Sequence, residues 1–119
     1  MKRILVVDDE EAIRSLYKME LEDAGFKVET AATGEEALEM LERFKPDLVT
    51  LDIKMPGMDG LQVLGEIRRR VLDLPVILCS AYGEYKRDLS SWASDAYIVK
   101  SSDVEELVKT VQGLLEEKE

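Results

Sequence analysis

Val49-Thr50-Leu51-Asp52-Ile53-Lys54-Met55-Pro56-Gly57-Met58-Asp59-Gly60 runs from apolar residues through a carboxylate into a turn. Leu48 to Leu51 is a short apolar run that suits a buried strand, and it ends at Asp52. Pro56, Gly57 and Gly60 then force a turn before a helical pattern resumes. A charged residue at the C-terminal end of a buried strand, just before a loop, stands where open α/β sheets place their chemistry. Taken alone, Asp52 reads better as a solvated strand end.

Other stretches reverse that reading. Ile4-Leu5-Val6-Val7-Asp8-Asp9-Glu10 is a second apolar run that ends in carboxylates. Val76-Ile77-Leu78-Cys79-Ser80 ends in a hydroxyl, and Ala96-Tyr97-Ile98-Val99-Lys100 ends in a cation. Parallel strands would bring Asp8, Asp9, Asp52, Ser80 and Lys100 to one edge of a sheet.

Working outward, strand and helix patterns alternate along the chain. Lys2 to Val7 lacks apolar alternation and so reads as a central strand buried on both faces. Glu10 to Ala24 reads as a helix whose stripe is Ile13, Leu16, Tyr17, Leu21 and Ala24, with Gly25 closing it. Leu16 and Tyr17 are read as core and Ile13 as exposed. Phe26 to Ala31 is a strand. A second helix follows, with Thr33 as N-cap, Glu36 as its capping-box partner and Pro46 stopping it after Phe44. Leu61, Val63, Leu64 and Ile67 mark a third helix that ends in an exposed Arg68-Arg69-Arg70, suited to the helix dipole.

Pro75 opens the fourth strand, and Glu84 to Trp92 is a thin candidate for a fourth helix. Ser102 or Asp103 caps a last helix carrying Val104, Leu107, Val108, Val111, Leu114 and Leu115, with Glu116 to Glu119 frayed. This order predicts a doubly wound α/β fold: a five-stranded parallel sheet with helices on both faces and right-handed crossovers.

Composition narrows the function. The 119 residues make one domain, residues 1–119, with 45% hydrophobic and 35% charged residues. No apolar run approaches the roughly 18 residues a membrane span needs, and no secretory signal opens the chain, so the cytoplasm is the expected location. Cys79 is the only cysteine, so no internal disulfide forms, and its apolar strand predicts packing rather than reactivity. The absence of histidine removes the commonest zinc ligand and any phosphohistidine on this chain. With 16 Lys plus Arg against 26 Asp plus Glu, a net charge of −10 argues against nucleic-acid binding.

The strand-end residues carry a resemblance to a family. The sequence resembles a receiver domain of a two-component response regulator, through Asp8-Asp9, Asp52, Met55-Pro56-Gly57-Met58-Asp59-Gly60, Ser80-Ala81 and Lys100. Asp52-Ile53-Lys54-Met55-Pro56 and Ser80-Ala81-Tyr82-Gly83-Glu84 are most similar to single-domain phosphorelay carriers. The resemblance implies the (βα)5 flavodoxin-like receiver fold and a phosphohistidine donor on a histidine kinase or histidine phosphotransfer protein. It also implies a downstream output protein or domain, reached through the fourth helix, fifth strand and last helix. Tyr97 takes the family's aromatic switch position. Lys54 and Tyr82 take positions that tune hydrolysis in receivers, and shielding by them predicts slow autodephosphorylation.

Charge arithmetic supports the same chemistry. Two carboxylates about 4 Å apart repel by roughly 4 kcal/mol at an effective dielectric near 20. Crowding Asp8, Asp9 and Asp52 therefore calls for a cation. An all-oxygen donor set selects a hard ion, and Mg2+ fits best. Asp9 and Asp52 are expected to coordinate directly, Asp8 directly or through water, and Lys54 through its backbone carbonyl. No GxxxxGK[ST] loop is present, so the phosphoryl group arrives on a partner. Asp52 is the candidate nucleophile. Lys100 neutralises charge during the transfer, while the Ser80 hydroxyl and backbone N–H groups including that of Ala81 hold the phosphate. Ile13 and Arg14, just past the acidic pair, are the candidate partner-docking residues.

Two departures stand against the resemblance. Receivers usually place proline after the fifth-strand lysine, and Ser101 stands there instead. The stretch from Ser80 to Lys100 is also short for the family. Two rival functions remain. One is a receiver-like protein-binding module that signals without phosphorylation. The other, a haloacid-dehalogenase-type phosphatase, needs an acid two residues after the nucleophile, where this chain has Lys54.

Overall fold

The computed structural model describes residues 1–81, 94–100 and 103–118. The helix expected over Glu84 to Trp92, Tyr82 and the Lys100–Ser101 peptide lie outside the described residues. In chain order the elements are β1 (Arg3–Val7), α1 (Glu11–Asp23), β2 (Lys27–Ala31), α2 (Gly34–Arg43), β3 (Leu48–Asp52), α3 (Gly60–Arg70), β4 (Val76–Ser80), β5 (Ala96–Val99) and α4 (Val104–Lys118).

The strands pair in the order β2-β1-β3-β4-β5, and every pairing is parallel. The sheet is the doubly wound one that the alternating pattern predicts. After β2 the chain crosses back past β1 to form β3, so the winding direction reverses between β1 and β3. In such sheets the crevice beyond the strand ends at that reversal is the place for a site. Val7 lies level with Leu51 there, which sets Asp8 beside Asp52.

Continuous apolar strands are explained by two core layers. Leu5, Val7, Val49, Leu51, Val76 and Leu78 face α2 and α3, meeting Ala37, Leu41, Val63, Leu64 and Ile67. Ile4, Val6, Leu48, Ile77, Cys79 and Ile98 face α1 and α4, meeting Tyr17, Leu21, Leu107, Val111 and Leu115. Successive residues of a strand point to opposite faces, so a strand covered on both sides carries no polar alternation. Each such side chain contributes about 1.5–3 kcal/mol on burial, which seats the helices.

Local chemistry fixes the helix starts. Thr33 Oγ1 accepts the Glu36 N–H at 3.1 Å, as the capping signal predicts. The reciprocal bond goes elsewhere: Glu36 accepts the Ala32 N–H at 3.2 Å, one residue before the cap. The complete capping box belongs to α3, where Asp59 accepts the Gln62 N–H at 3.0 Å and Gln62 accepts the Asp59 N–H at 2.9 Å. For the last helix, Asp103 accepts the Glu105 N–H at 3.1 Å, while Ser102 lies outside the described residues.

Several sequence expectations are corrected. Leu16, read as core, is exposed, while Ile13 is half-buried against the α1 and α4 core layer. The buried line of α1 runs through Tyr17 and Leu21, and Leu16 falls to its side. Arg68 is not part of an exposed basic run. It donates to the Leu74 carbonyl at 2.6 Å and to Asp95 at 2.9 Å. Helix α4 continues to Lys118 instead of fraying from Glu116. Among the described residues, no helix is long and apolar enough to cross a membrane.

Candidate functional site

Strand ends deliver the polar groups to one edge. Asp8 follows β1, Asp52 ends β3, Ser80 ends β4 and Lys100 follows β5. Lys100 Nζ lies 2.8 Å from Asp8 Oδ2, 3.2 Å from Asp52 Oδ1 and 3.5 Å from Glu10 Oε1. Asp8, Asp52 and Ser80 are buried, whereas Asp9 and Glu10 are exposed.

Backbone bonds hold these residues in place. The Asp8 N–H donates to the Ala31 carbonyl at 3.1 Å, and Arg14 donates to the Asp8 carbonyl at 2.8 Å. The Ile53 N–H donates to Cys79 at 3.1 Å, fixing the end of β3 on β4. The Lys100 N–H donates to Ser80 at 2.6 Å, fixing the lysine beside the hydroxyl-bearing strand end.

Burial and charge set the protonation states. Burial, and then the neighbouring Asp8 carboxylate, push the Asp52 pKa up to about 7 against the downward pull of Lys100. Asp9 stands close enough to Asp52 to add to that rise. Burial works to lower the pKa of Lys100, but Asp8 and Asp52 overcome it and hold the ammonium above its usual range. Cys79 is buried, and its thiol is pushed up to about 12 by that burial, as a packing residue should be.

Asp8, Asp9 and Glu10 each offer a carboxylate oxygen within 4.8 Å of the others. Asp8 Oδ2 is buried, 2.8 Å from the shared Lys100 ammonium and, among the described residues, with no other donor. A crowded all-oxygen set with such an atom fits a hard divalent ion of the Mg2+ type. Glu10 was absent from the sequence-derived site, although its place directly after Asp8-Asp9 is legible.

The remaining expected residues separate by position. Lys54 is exposed on the loop after β3, beside a cleft of about 380 Å³ lined by Ile53, Lys54, Met55, Pro56, Asp59 and Leu61. Ala81 is exposed just beyond Ser80. Tyr97 is half-buried against the core layer under α2 and α3. Arg14 is tied to the Asp8 carbonyl, so its guanidinium serves the acidic loop directly. Leu16 and Met19, at 38% and 53% exposure, are the large apolar side chains of α1 most open to solvent, while Ile13 is half-buried.

Gly60 also belongs to this site by contact. Its N–H donates to the Ile53 carbonyl at 2.7 Å. A Cβ at Gly60 would overlap the Asp52 carbonyl oxygen and lie 2.7 Å from Ile53 Cα. Glycine is required there by the close approach of α3 to β3, while Gly57, with φ +76°, is the glycine that the turn itself requires.

Comparisons with known proteins agree with this geometry. A family model described as response regulator receiver domain matches residues 4–112. The alkaline phosphatase synthesis transcriptional regulatory protein PhoP of Bacillus subtilis is 38% identical over 120 residues, which cover 99% of this chain and 50% of that protein. The DNA-binding dual master transcriptional regulator RpaA of Synechocystis is 37% identical over 119 residues, covering 97% of this chain and 49% of that protein. The chain thus spans about half the length of the curated relatives it matches. Among solved structures, the response regulator TrrA of Thermotoga maritima in complex with Mg2+ and BeF has a TM-score of 0.92 at 54% identity, covering 96% of this chain and 99% of that one. TrrA in complex with the histidine kinase ThkA has a TM-score of 0.90 at 53% identity, covering 97% and 99%.

Proposed function

The chain belongs to the response regulator receiver domain family, and on that premise we propose that Asp52 accepts a phosphoryl group from a phosphohistidine on a histidine kinase or phosphotransfer protein. The observation that carries this reading is the convergence of Asp8, Asp52 and Lys100, delivered by three separate strands, within 2.8 and 3.2 Å of one ammonium. The receiver domain is assigned to the whole chain, residues 1–119.

In this reading an Asp52 carboxylate oxygen forms the new bond to phosphorus. The bond from phosphorus to the donor imidazole nitrogen breaks, and that nitrogen keeps the electron pair. Asp52 must be ionised to attack, and Lys100 favours that form. The same ammonium then faces the transferred group and balances its added charge. Ser80, anchored through its carbonyl to Lys100, supplies a hydroxyl at the product, with the Ala81 N–H beside it.

Asp9, Asp52 and the Lys54 carbonyl are the proposed ligands of Mg2+, with Asp8 direct or water-linked and Glu10 a further carboxylate in reach. When bound, the ion would supply positive charge to the phosphoryl oxygens and favour ionised Asp52. The solved complex of TrrA with Mg2+ and BeF supports this assignment.

The docking and switch roles follow from position. The complex of TrrA with a histidine kinase supports a kinase partner. Ile13 and Arg14 at the start of α1 remain the proposed docking residues, and exposed Leu16, three residues after Ile13, extends the apolar contact. A phosphate on Asp52 adds acceptor oxygens that draw Ser80, and Tyr97 on the adjacent strand responds. The phosphorylated domain then changes its β5-side surface toward an output partner or passes the phosphate on. Lys54 shields the acyl phosphate from water, and slow autodephosphorylation results.

Exposure to acetyl phosphate with Mg2+, followed by intact mass, tests the assignment. One labile phosphate is expected, lost in Asp52→Asn. No uptake, or uptake that survives the substitution, would overturn it.

A further inference from the structure

We infer that Gly60 is a positioning residue for phosphoryl acceptance: its missing side chain lets the N-terminus of α3 clamp the backbone of Asp52 and Ile53. The inference rests on the assignment of Asp52 above. A Cβ at Gly60 would meet only backbone atoms: the Asp52 carbonyl oxygen, Ile53 Cα at 2.7 Å and the Asp52 carbonyl carbon at 2.8 Å. No side-chain rotation relieves such an overlap. The backbone of Gly60 is not in the left-handed region, so turn geometry does not explain the glycine.

Both sides of the clamp are held independently. On the strand side, Asp52 pairs in register with Cys79, and the Ile53 N–H donates to the Cys79 carbonyl at 3.1 Å. On the helix side, the Asp59–Gln62 capping box and buried Val63, Leu64 and Ile67 seat α3 on the core. The Gly60 N–H, bonded to Ile53 at 2.7 Å, closes the loop between them. Lys54, whose carbonyl is the proposed metal ligand, lies on that loop.

A methyl group at position 60 therefore parts α3 from the end of β3. Asp8 and Lys100 are fixed by β1 and β5 and do not follow. The displacement falls on Asp52 and Lys54 relative to the rest of the pocket. Gly34 provides the contrast. Its Cβ would meet side-chain atoms, Val63 Cγ2 at 2.7 Å on α3 and Met58 Cβ at 3.0 Å on the loop before it, so that substitution strains the packing of α2 on both and leaves the backbone of Asp52 and Ile53 untouched.

The test compares wild type, Gly60→Ala and Gly34→Ala, each well below its own Tm. Mg2+ affinity is measured by calorimetry without phosphodonor, and phosphorylation by acetyl phosphate is followed by intact mass. Gly60→Ala is expected to weaken Mg2+ binding on the order of tenfold or more and to slow phosphorylation on the order of tenfold or more. Gly34→Ala is expected to lower Tm while leaving Mg2+ affinity within about twofold. Wild-type behaviour of folded Gly60→Ala overturns the inference, as does equal loss of Mg2+ affinity in Gly34→Ala. If Gly60→Ala does not fold, the double variant Asp59→Ala, Gln62→Ala unseats the cap without adding an atom. It should weaken Mg2+ binding by about threefold, and unchanged affinity overturns the inference. A wild type that takes no phosphate on Asp52 instead overturns the assignment on which the inference rests.

Discussion

Two clusters of carboxylate and cation sit at opposite ends of the sheet and differ in how completely they are satisfied. At the N-terminal end of β4 and β5, Asp95 accepts the Val76 N–H at 2.8 Å and pairs with Arg68 at 2.9 Å, while Arg68 also donates to Leu74. The cluster is partly open to water and its bonds are matched. At the other end Lys100 is shared by Asp8, Asp52 and the more distant Glu10, and, among the described residues, buried Asp8 Oδ2 has no donor besides that ammonium. The same chemical groups make a clasp where their bonds are complete. They make a receptive pocket where negative charge is buried in excess.

Removal of the shared cation is the strongest way to break this contrast. Lys100→Ala leaves two buried carboxylates facing each other and should cost about 3–5 kcal/mol in the metal-free protein at pH 8. Urea denaturation measures it. A loss no larger than that of an exposed ion pair would mean that the pocket is as relaxed as the clasp.

Asp52→Asn should act in the opposite direction. The raised pKa means that folded Asp52 holds its proton better than the unfolded chain does. Its contribution to stability is complete below the unfolded value, near 4, and is lost as pH rises through about 7. Above that range the ionised group is a burden, so Asp52→Asn should stabilise the metal-free protein at pH 8 on the order of 2 kcal/mol. The gain should shrink toward pH 4. Lys100, held above its usual range, titrates outside this window. A pH-independent difference between the two proteins would remove the electrostatic explanation.

The clasp itself should respond more mildly. Asp95→Ala strips the acceptor from the Val76 N–H and the partner from half-buried Arg68, a loss of about 1–2 kcal/mol. Thermal denaturation checks this, and an effect matching Lys100→Ala would erase the distinction between the two ends. The smallest change is expected at Leu16, whose exposure leaves little packing to lose. Leu16→Ala should shift stability within about 0.5 kcal/mol while weakening capture by a kinase phosphotransfer domain in a binding assay.

The sheet was legible because strands covered on both faces carry unbroken apolar runs, and a parallel order sends their polar ends to one edge. Asp8, Asp52 and Lys100 were readable for that reason. The sides of α1 were not. Ile13, Leu16, Tyr17 and Leu21 all recur at helical spacing, but the sheet covers a narrower arc than that stripe, and only the packing shows that Leu16 lies beyond it. The Arg68–Asp95 pair was hidden because its members stand 27 positions apart and each looks like an ordinary surface charge. In the sequence Gly60 looks like a turn residue, since a close approach between backbones leaves no trace in composition.

The parallel order also dictates when the pocket comes into being. Glu10 and Lys100 are separated by 90 positions, and the ammonium is carried by the last strand of the sheet. During synthesis, the acids of β1 and β3 emerge before the group that neutralises them. A chain halted before residue 100 has its nucleophile but not its counter-charge. Competence for chemistry thereby waits on the fifth strand, because the residue that completes the pocket is carried at its end.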